Sequence, residues 1–290
     1  MKHILSFSGG KDSTFLLLEL IRRKYPLDEV QFFDTGWEYP VMYEHIEKCK
    51  KICSENGIKF VTLHPPKNFD YLMLEHITAK GNKGYSWCGG NSRWGTTYKT
   101  AALDKNSQEN AGNIVYIGIA ADETERLKKE HAAFKRFPLA EWGITEAECL
   151  KGCYDAGFDW SGMYEHLDRL SCMYCRNKNL KELRNIRKYY PEVWENLKLY
   201  QSKTKLPYKT CGTTIFDLEK RFELEEALTR KGQSITNRAF HTDLKRLLAG
   251  ETTIEEILQE REVKWSKPGK CPLNMTPEQF DAIYNDDTED

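Results

Sequence analysis

Six residues, Ser8-Gly9-Gly10-Lys11-Asp12-Ser13, separate an apolar run from an amphipathic one and constrain the chain more than any other segment. Ahead of them, residues 3–7 read as a short buried strand. Behind them, Leu16, Leu17, Leu20 and Ile21 give a helix from about Ser13 to Lys24 a broad apolar face. A strand that passes through glycines straight into a helix makes an anion site. Glycine tolerates positive φ and close backbone approach. The first-turn amides have no intrahelical partner, and the helix dipole favours negative charge. Ser8 and Ser13 can add hydroxyl donors, and Lys11 a mobile positive charge. Asp12 would repel a phosphate, so it reads as a turn-former or a Mg²⁺ holder. The spacing is not that of the Gly-x4-Gly-Lys-Ser/Thr phosphate loop.

The rest of the first half repeats the alternation. Strands are expected at 30–33, 59–63 and 114–119, with a helix over about 41–55. Strands alternating with helices imply parallel pairing through crossovers, and short apolar runs imply strands buried on both faces. The expected fold class is α/β: a doubly wound, mostly parallel, Rossmann-like sheet with a helical C-terminal region. Ligands of such sheets sit beyond the carboxyl ends of the strands, where residues 8–13 and Asp34 fall.

From Thr145 onward the reading is helical. Thr145 and Glu148 form a capping-box pair with Gly157 as a stop, and Pro191 opens a later helix. Further helices are expected near 179–189, 192–203, 217–230, 236–248 and 253–262, with a polar, Pro-containing stretch after about 264 and a frayed end at 285–290. The expected organisation is a nucleotide-binding domain over 1–144, a helical segment with a cysteine cluster over 145–205 packed on it, and a helical extension over 206–290. The formal net charge of −1 gives no bulk drive toward nucleic acid or membrane. No run reaches about 18 apolar residues, and no signal-peptide pattern is present, so a cytoplasmic location is expected. There the nine cysteines stay reduced, and clusters point to metal or redox chemistry.

The glycine turn resembles the pyrophosphate (PP) loop of the adenine nucleotide α-hydrolase superfamily, and within it the phosphoadenosine-phosphosulfate (PAPS) reductase family. Four further segments carry that resemblance: Asp34-Thr35-Gly36 with Glu38-Tyr39-Pro40, residues 118–126 ending in Arg126, residues 135–146, and Arg169 to Cys175. It implies an ATP-pyrophosphatase-type enzyme that binds ATP or a related adenylate with Mg²⁺ and cleaves at the α-phosphate, for sulfur transfer or nucleic-acid modification. On this basis Ser8, Gly9, Gly10, Lys11, Asp12, Ser13, Asp34, Arg93, Lys99, Asp122 and Arg126 face the nucleotide, with Arg169 a further candidate. Lys11, Asp12, Cys172 and Cys175 are the candidate catalytic residues. Asp122 and Glu123 can hold Mg²⁺ or orient a basic residue.

Three departures weigh against PAPS reduction itself. Gly95 stands where many relatives carry cysteine, Ala120 where they often carry arginine, and no Glu-Cys-Gly-x-His motif is present. Sulfur transfer, with a sulfur-donor protein as partner, survives these losses better. A PAPS or adenylylsulfate reductase forming sulfite and a non-catalytic nucleotide-binding adaptor are the alternatives. Cys153, Cys172 and Cys175, with Cys149 or Cys88 as fourth ligand, could hold zinc or a [4Fe–4S] cluster. Reduced structural thiols and a redox-active Cys172/Cys175 pair remain open beside that. The mixed charges of residues 217–262 read as solvated helix faces.

Overall fold

The computed structural model describes residues 1–90, 92–108 and 112–265. Cys271, the rest of the polar stretch after 265 and the end expected to fray at 285–290 lie outside them. The described chain forms two compact units that divide at Leu206/Pro207.

The first unit is built on a five-stranded, all-parallel sheet, β3-β2-β1-β4-β5. The strands are β1 His3–Phe7, β2 Glu29–Phe33, β3 Lys59–Leu63, β4 Ile114–Ile117 and β5 Lys135–Arg136. The chain winds outward from β1 through β2 to β3, then returns to β4 on the other side of β1. The gap between β1 and β4 is thus the topological switch point, where ligands of open α/β sheets bind. The Rossmann-like α/β fold expected from the strand–helix alternation is the fold observed.

Helices α1 Lys11–Arg22, α2 Pro40–Glu55, α3 Phe69–Leu74, α4 Trp94–Gln108, α5 Thr124–Leu127 and α6 Pro138–Glu141 intersperse with the strands. Then come α7 Glu146–Asp155, a 3₁₀ turn Trp160–Glu165, α8 Leu180–Tyr189 and α9 Pro191–Lys203. The core is where the periodicity placed it: Leu5, Leu16, Leu17, Leu20 and Val30 are fully buried. Helix α1 starts at Lys11, two residues earlier than expected, because Gly10 is extended and Thr14 N already donates to Gly10 O at 3.0 Å.

Helix α7 lies against α1, and Gly152 is what lets it. A Cβ there would overlap the Phe15 ring. Cys149 and Cys153 share that face and are buried beside α1. The capping box forms as expected, with Thr145 Oγ1 accepting from Glu148 N and Glu148 Oε2 from Thr145 N.

The second unit contains α10 Ile215–Arg230, α11 Arg238–Ala249 and α12 Ile254–Trp265. Leu224, Leu228, Phe240, Leu244, Leu247 and Ile257 make its own core. Its charges pair within the unit: Arg246 with Glu260 at 2.8 Å and Arg261 with Asp243 at 2.7 Å. Among the described residues no helix is long and apolar enough to cross a membrane.

Candidate active site

The turn after β1 is held open by its own hydroxyls. Ser8 Oγ and Ser13 Oγ lie 3.0 Å apart, Ser8 N donates to Ser13 Oγ at 3.2 Å, and Ser13 Oγ donates to Gly10 O at 3.1 Å. Gly9 has φ +78°, and a Cβ there would overlap Met42 Sδ, so this position demands glycine. Gly10 is different. Its φ of −77° suits any residue, yet its missing side chain leaves a small cradle. A Cβ on Gly10 would sit 3.4 Å from Tyr164 Oη and 3.6 Å from Ser8 Oγ. Among the described residues the amides of Gly9, Asp12 and Ser13 meet no hydrogen-bond acceptor, and α1 has no side-chain cap. Bare amides, a helix N-terminus and a vacant Cβ position together form a pocket for an oxyanion.

β4 closes the other side. A Cβ on Gly118 would lie 3.0 Å from Ser13 N, so only glycine lets the end of β4 approach the start of α1 this closely. The approach brings Asp122, Glu123 and Arg126 to the switch point. One ligand oxygen from each of Asp12, Glu123 and Glu146 lies within 4.8 Å of the others. Lys11 Nζ stands in this group, 2.9 Å from Asp12 Oδ1 and 2.6 Å from Glu146 Oε1. Burial lowers the affinity of the Lys11 ammonium for its proton, but hydrogen bonds to Glu146 and Asp12 outweigh it and raise the pKa. Burial raises that of Asp12, against the pull of Lys11. Lys11 is therefore not the free-swinging cation that the sequence suggested. Neighbouring carboxylates hold it, because α1 starts early and turns it toward α7. Glu123 also pairs with Arg126, and Asp122 Oδ1 accepts from Glu146 N at 3.0 Å, fixing the start of α7.

A layer of side chains supports the turn from behind. Trp160 Nε1 donates to Gly9 O at 3.0 Å, Lys11 N donates to Tyr164 Oη at 2.8 Å, and Cys153 Sγ donates to Lys11 O at 3.3 Å. Thr14 Oγ1 is 2.9 Å from His45 Nε2, and burial lowers the His45 pKa to about 4, so the imidazole is neutral. Trp160, Tyr164 and His45 escaped the sequence reading, since each is an isolated aromatic residue with no motif around it.

Asp34 ends β2 as a turn-former: its Oδ1 accepts from Gly36 N at 2.8 Å and Tyr43 Oη at 3.0 Å. Arg93 immediately precedes α4 and Lys99 lies within it; among the described residues neither joins the polar contacts of the glycine turn. Lys99 instead favours the ionised form of Glu38, a half-buried carboxyl that burial pushes up.

The thiols fall into separate groups. Cys149 and Cys153 belong to the α1–α7 packing, where burial pushes the Cys153 thiol up to about 12 and Cys149 further. Cys172 and Cys175 share a hydrogen bond elsewhere in the unit, and Cys88 is near Cys175. Among the described residues no three thiols come within 4.8 Å of one another. The four-thiolate centre suggested by the C-x3-C-x18-C-x2-C spacing is thus not assembled. The helical stripe that joins Cys149 to Cys153 faces α1, away from the Cys172–Cys175 pair. Of this pair, Cys175 is the thiol whose pKa is drawn down. Its hydrogen bond from Cys172 is the largest cause, opposed by burial and aided by Asn177 N–H, Lys178 and Arg169. Arg169 Nη2 donates to Asn177 O at 2.9 Å. Arg169 and Asn177 also line a cavity of about 280 Å³ with Glu146, Asp168, Asn179 and Glu182. Its wall runs from the carboxylate that holds Lys11 to residues flanking Cys175.

A five-stranded parallel sheet with an open helix start at its switch point and carboxylates beside it defines a Rossmann-like α/β domain. The chain belongs to the phosphoadenosine phosphosulfate reductase domain family, which it matches over residues 2–146. It is also similar to an uncharacterized protein of Methanocaldococcus jannaschii, with 24% identity over 211 residues. The match covers 66% of this chain and 40% of that protein, so the chain spans well under half of its relative's length. Family membership supports a nucleotide-related function of the sulfur-transfer or reductase type.

Proposed function

We propose that this chain binds ATP, or a related adenylate, at the Gly10 cradle and transfers its adenylyl group to an acceptor that then receives sulfur. The observation that carries this reading is the vacant Cβ position of Gly10, flanked by Ser8 Oγ and the bare amides of Gly9, Asp12 and Ser13. Nothing in the local backbone requires glycine at position 10; a phosphate would.

An acceptor oxygen attacks the α-phosphorus, the α–β bridging bond breaks, and pyrophosphate leaves with the electron pair. A sulfur nucleophile later displaces AMP from the adenylylated acceptor. The turn's amides and hydroxyls stabilise charge on the phosphates electrostatically. Asp12, Glu123 and Glu146 are a hard, all-oxygen donor set of the kind that suits Mg²⁺, whose charge would offset that of the pyrophosphate. Lys11, held between Asp12 and Glu146, keeps the trio partly neutralised. Arg126 does the same for Glu123, while Arg93 and Lys99 are candidates for the nucleotide's outer charges. The Cys175 thiolate, with Cys172 beside it, is the sulfur-handling group. A sulfur-donor protein is the implied partner. No step passes through zinc or a cluster.

A pyrophosphate-release assay with ATP, Mg²⁺, sulfide and candidate hydroxyl or carbonyl-oxygen acceptors tests the reading. Pyrophosphate and AMP in equal amounts support it. Production of ADP and phosphate, or of sulfite from adenylylsulfate without ATP turnover, contradicts it.

A further inference from the structure

The 3₁₀ turn at Trp160–Glu165 carries unusual backbone strain. Trp160 and Ser161 have φ of 47° and 51°, followed by Gly162 at 75°. Left-handed non-glycine residues are disfavoured and persist where the surroundings fix them. Here the surroundings are the glycine turn itself. The Trp160 indole, 2% exposed, is tied to Gly9 O and lies tilted against His45 with ring centroids 4.7 Å apart. The Tyr164 ring meets Trp160 edge-on at 4.9 Å, and its hydroxyl accepts from Lys11 N. That leaves the hydroxyl's own hydrogen, which finds no acceptor among the described residues. Tyr164 Oη and Ser8 Oγ both border the space above Gly10.

We infer that Tyr164 is a phosphate ligand: it accepts from Lys11 N and donates its hydroxyl hydrogen to a phosphate oxygen seated over Gly10. Through this one group, a strained turn outside the family-matched residues 2–146 completes the site. A tyrosine suits the task because burial raises its pKa, so the hydroxyl keeps its proton in the physiological range. A hydroxyl that accepts one hydrogen bond while donating another is also polarised toward stronger donation. The inference rests on the reading of the cradle as the phosphate site.

Calorimetric titration of the full chain with Mg²⁺ and α,β-methylene-ATP, against adenosine alone, tests it. Tyr164→Phe is expected to weaken the analogue about tenfold or more, the scale of one hydrogen bond to a charged group, and to leave adenosine affinity unchanged. Equal analogue affinity in the variant and the parent overturns the inference. So does an equal loss for adenosine, which would make Tyr164 a structural support. If the parent itself binds no analogue, the cradle reading fails instead. Should Tyr164→Phe not fold, fluorotyrosine labelling of the parent chain gives the same answer. The Tyr164 ¹⁹F resonance should shift with pyrophosphate and not with adenosine; an unmoved resonance overturns the inference.

Discussion

Helices α1 and α10 begin in opposite ways. Thr214 caps α10, its hydroxyl accepting from Asp217 N at 3.1 Å while Asp217 Oδ2 accepts from Thr214 N at 2.8 Å. The orphan amides are satisfied by the chain, and the helix gains the usual stabilisation of a capping box. Helix α1 has Gly10 at its N-cap and so no such side chain. Its Ser13 hydroxyl turns back to Ser8 and Gly10, and among the described residues the amides of Gly9, Asp12 and Ser13 stay bare. One helix start is finished for stability and the other is left open for a ligand. Around the open one the chain spends further structure: the His45 contact to Thr14, the close approach of Gly118, and the strained turn that carries Trp160 and Tyr164.

The sharpest way to break this contrast is to fill the cradle. Gly10→Ala places a methyl in ordinary contact with Tyr164 and Ser8. It should cost under about 1 kcal/mol of stability, since alanine is a poorer N-cap than glycine. Loss of two charge-assisted hydrogen bonds should weaken nucleotide binding by about 100-fold or more. Calorimetry and thermal melts on one preparation separate these two effects.

A second test uses the support of α1. The His45 pKa is about 4 in the fold and 6.5 in its absence, so the unfolded chain takes up the proton first. Stability from this group is full above about pH 6.5, falls as the pH drops toward 4, and falls no further below. The parent chain should lose on the order of 3 kcal/mol over that window. His45→Gln should flatten this limb in denaturant titrations; an identical slope would show that His45 is not buried neutral against Thr14.

Gly118→Ala tests the other wall. The neighbour its methyl would press on is backbone, which yields poorly, so a loss of about 1–3 kcal/mol and weaker nucleotide binding are expected together. Thr214→Ala closes the comparison from the other helix. It should cost about 1 kcal/mol and leave nucleotide affinity untouched. A change in affinity there would show that the contrast between the two helix starts is not the relevant one.

Much of this was legible in the chain. Although the Thr214 cap of α10 is passed over, strands β1 and β3 and the capped start of α7 follow from local patterns of apolar residues and caps. So does the glycine turn, because its chemistry lies in consecutive residues. What stayed hidden depends on distant partners. β2 begins at Glu29 rather than Val30 because that carboxylate, only 2% exposed, pairs with Lys2 and Asn106. β5 is two charged residues that become a strand only against Val115 and Tyr116. Helix α4 opens with Trp94 and Gly95 and shows no clean apolar stripe, so periodicity passes over it. At the site, Glu146 and Tyr164 reach the turn from more than a hundred residues away. The cysteine spacing misled for the same reason: helical periodicity put Cys149 and Cys153 on one face, but only packing shows that α1 covers that face.

The central claim is that the amides opening α1 grip phosphate. ¹⁵N-labelled protein titrated with Mg²⁺ and α,β-methylene-ATP reports on them one by one. The amide signals of Gly9, Asp12 and Ser13 should move furthest, with those of Asp217 and its neighbours in α10 unchanged. If the largest shifts arise elsewhere while those three amides stay still, the phosphate site lies elsewhere and the account is wrong.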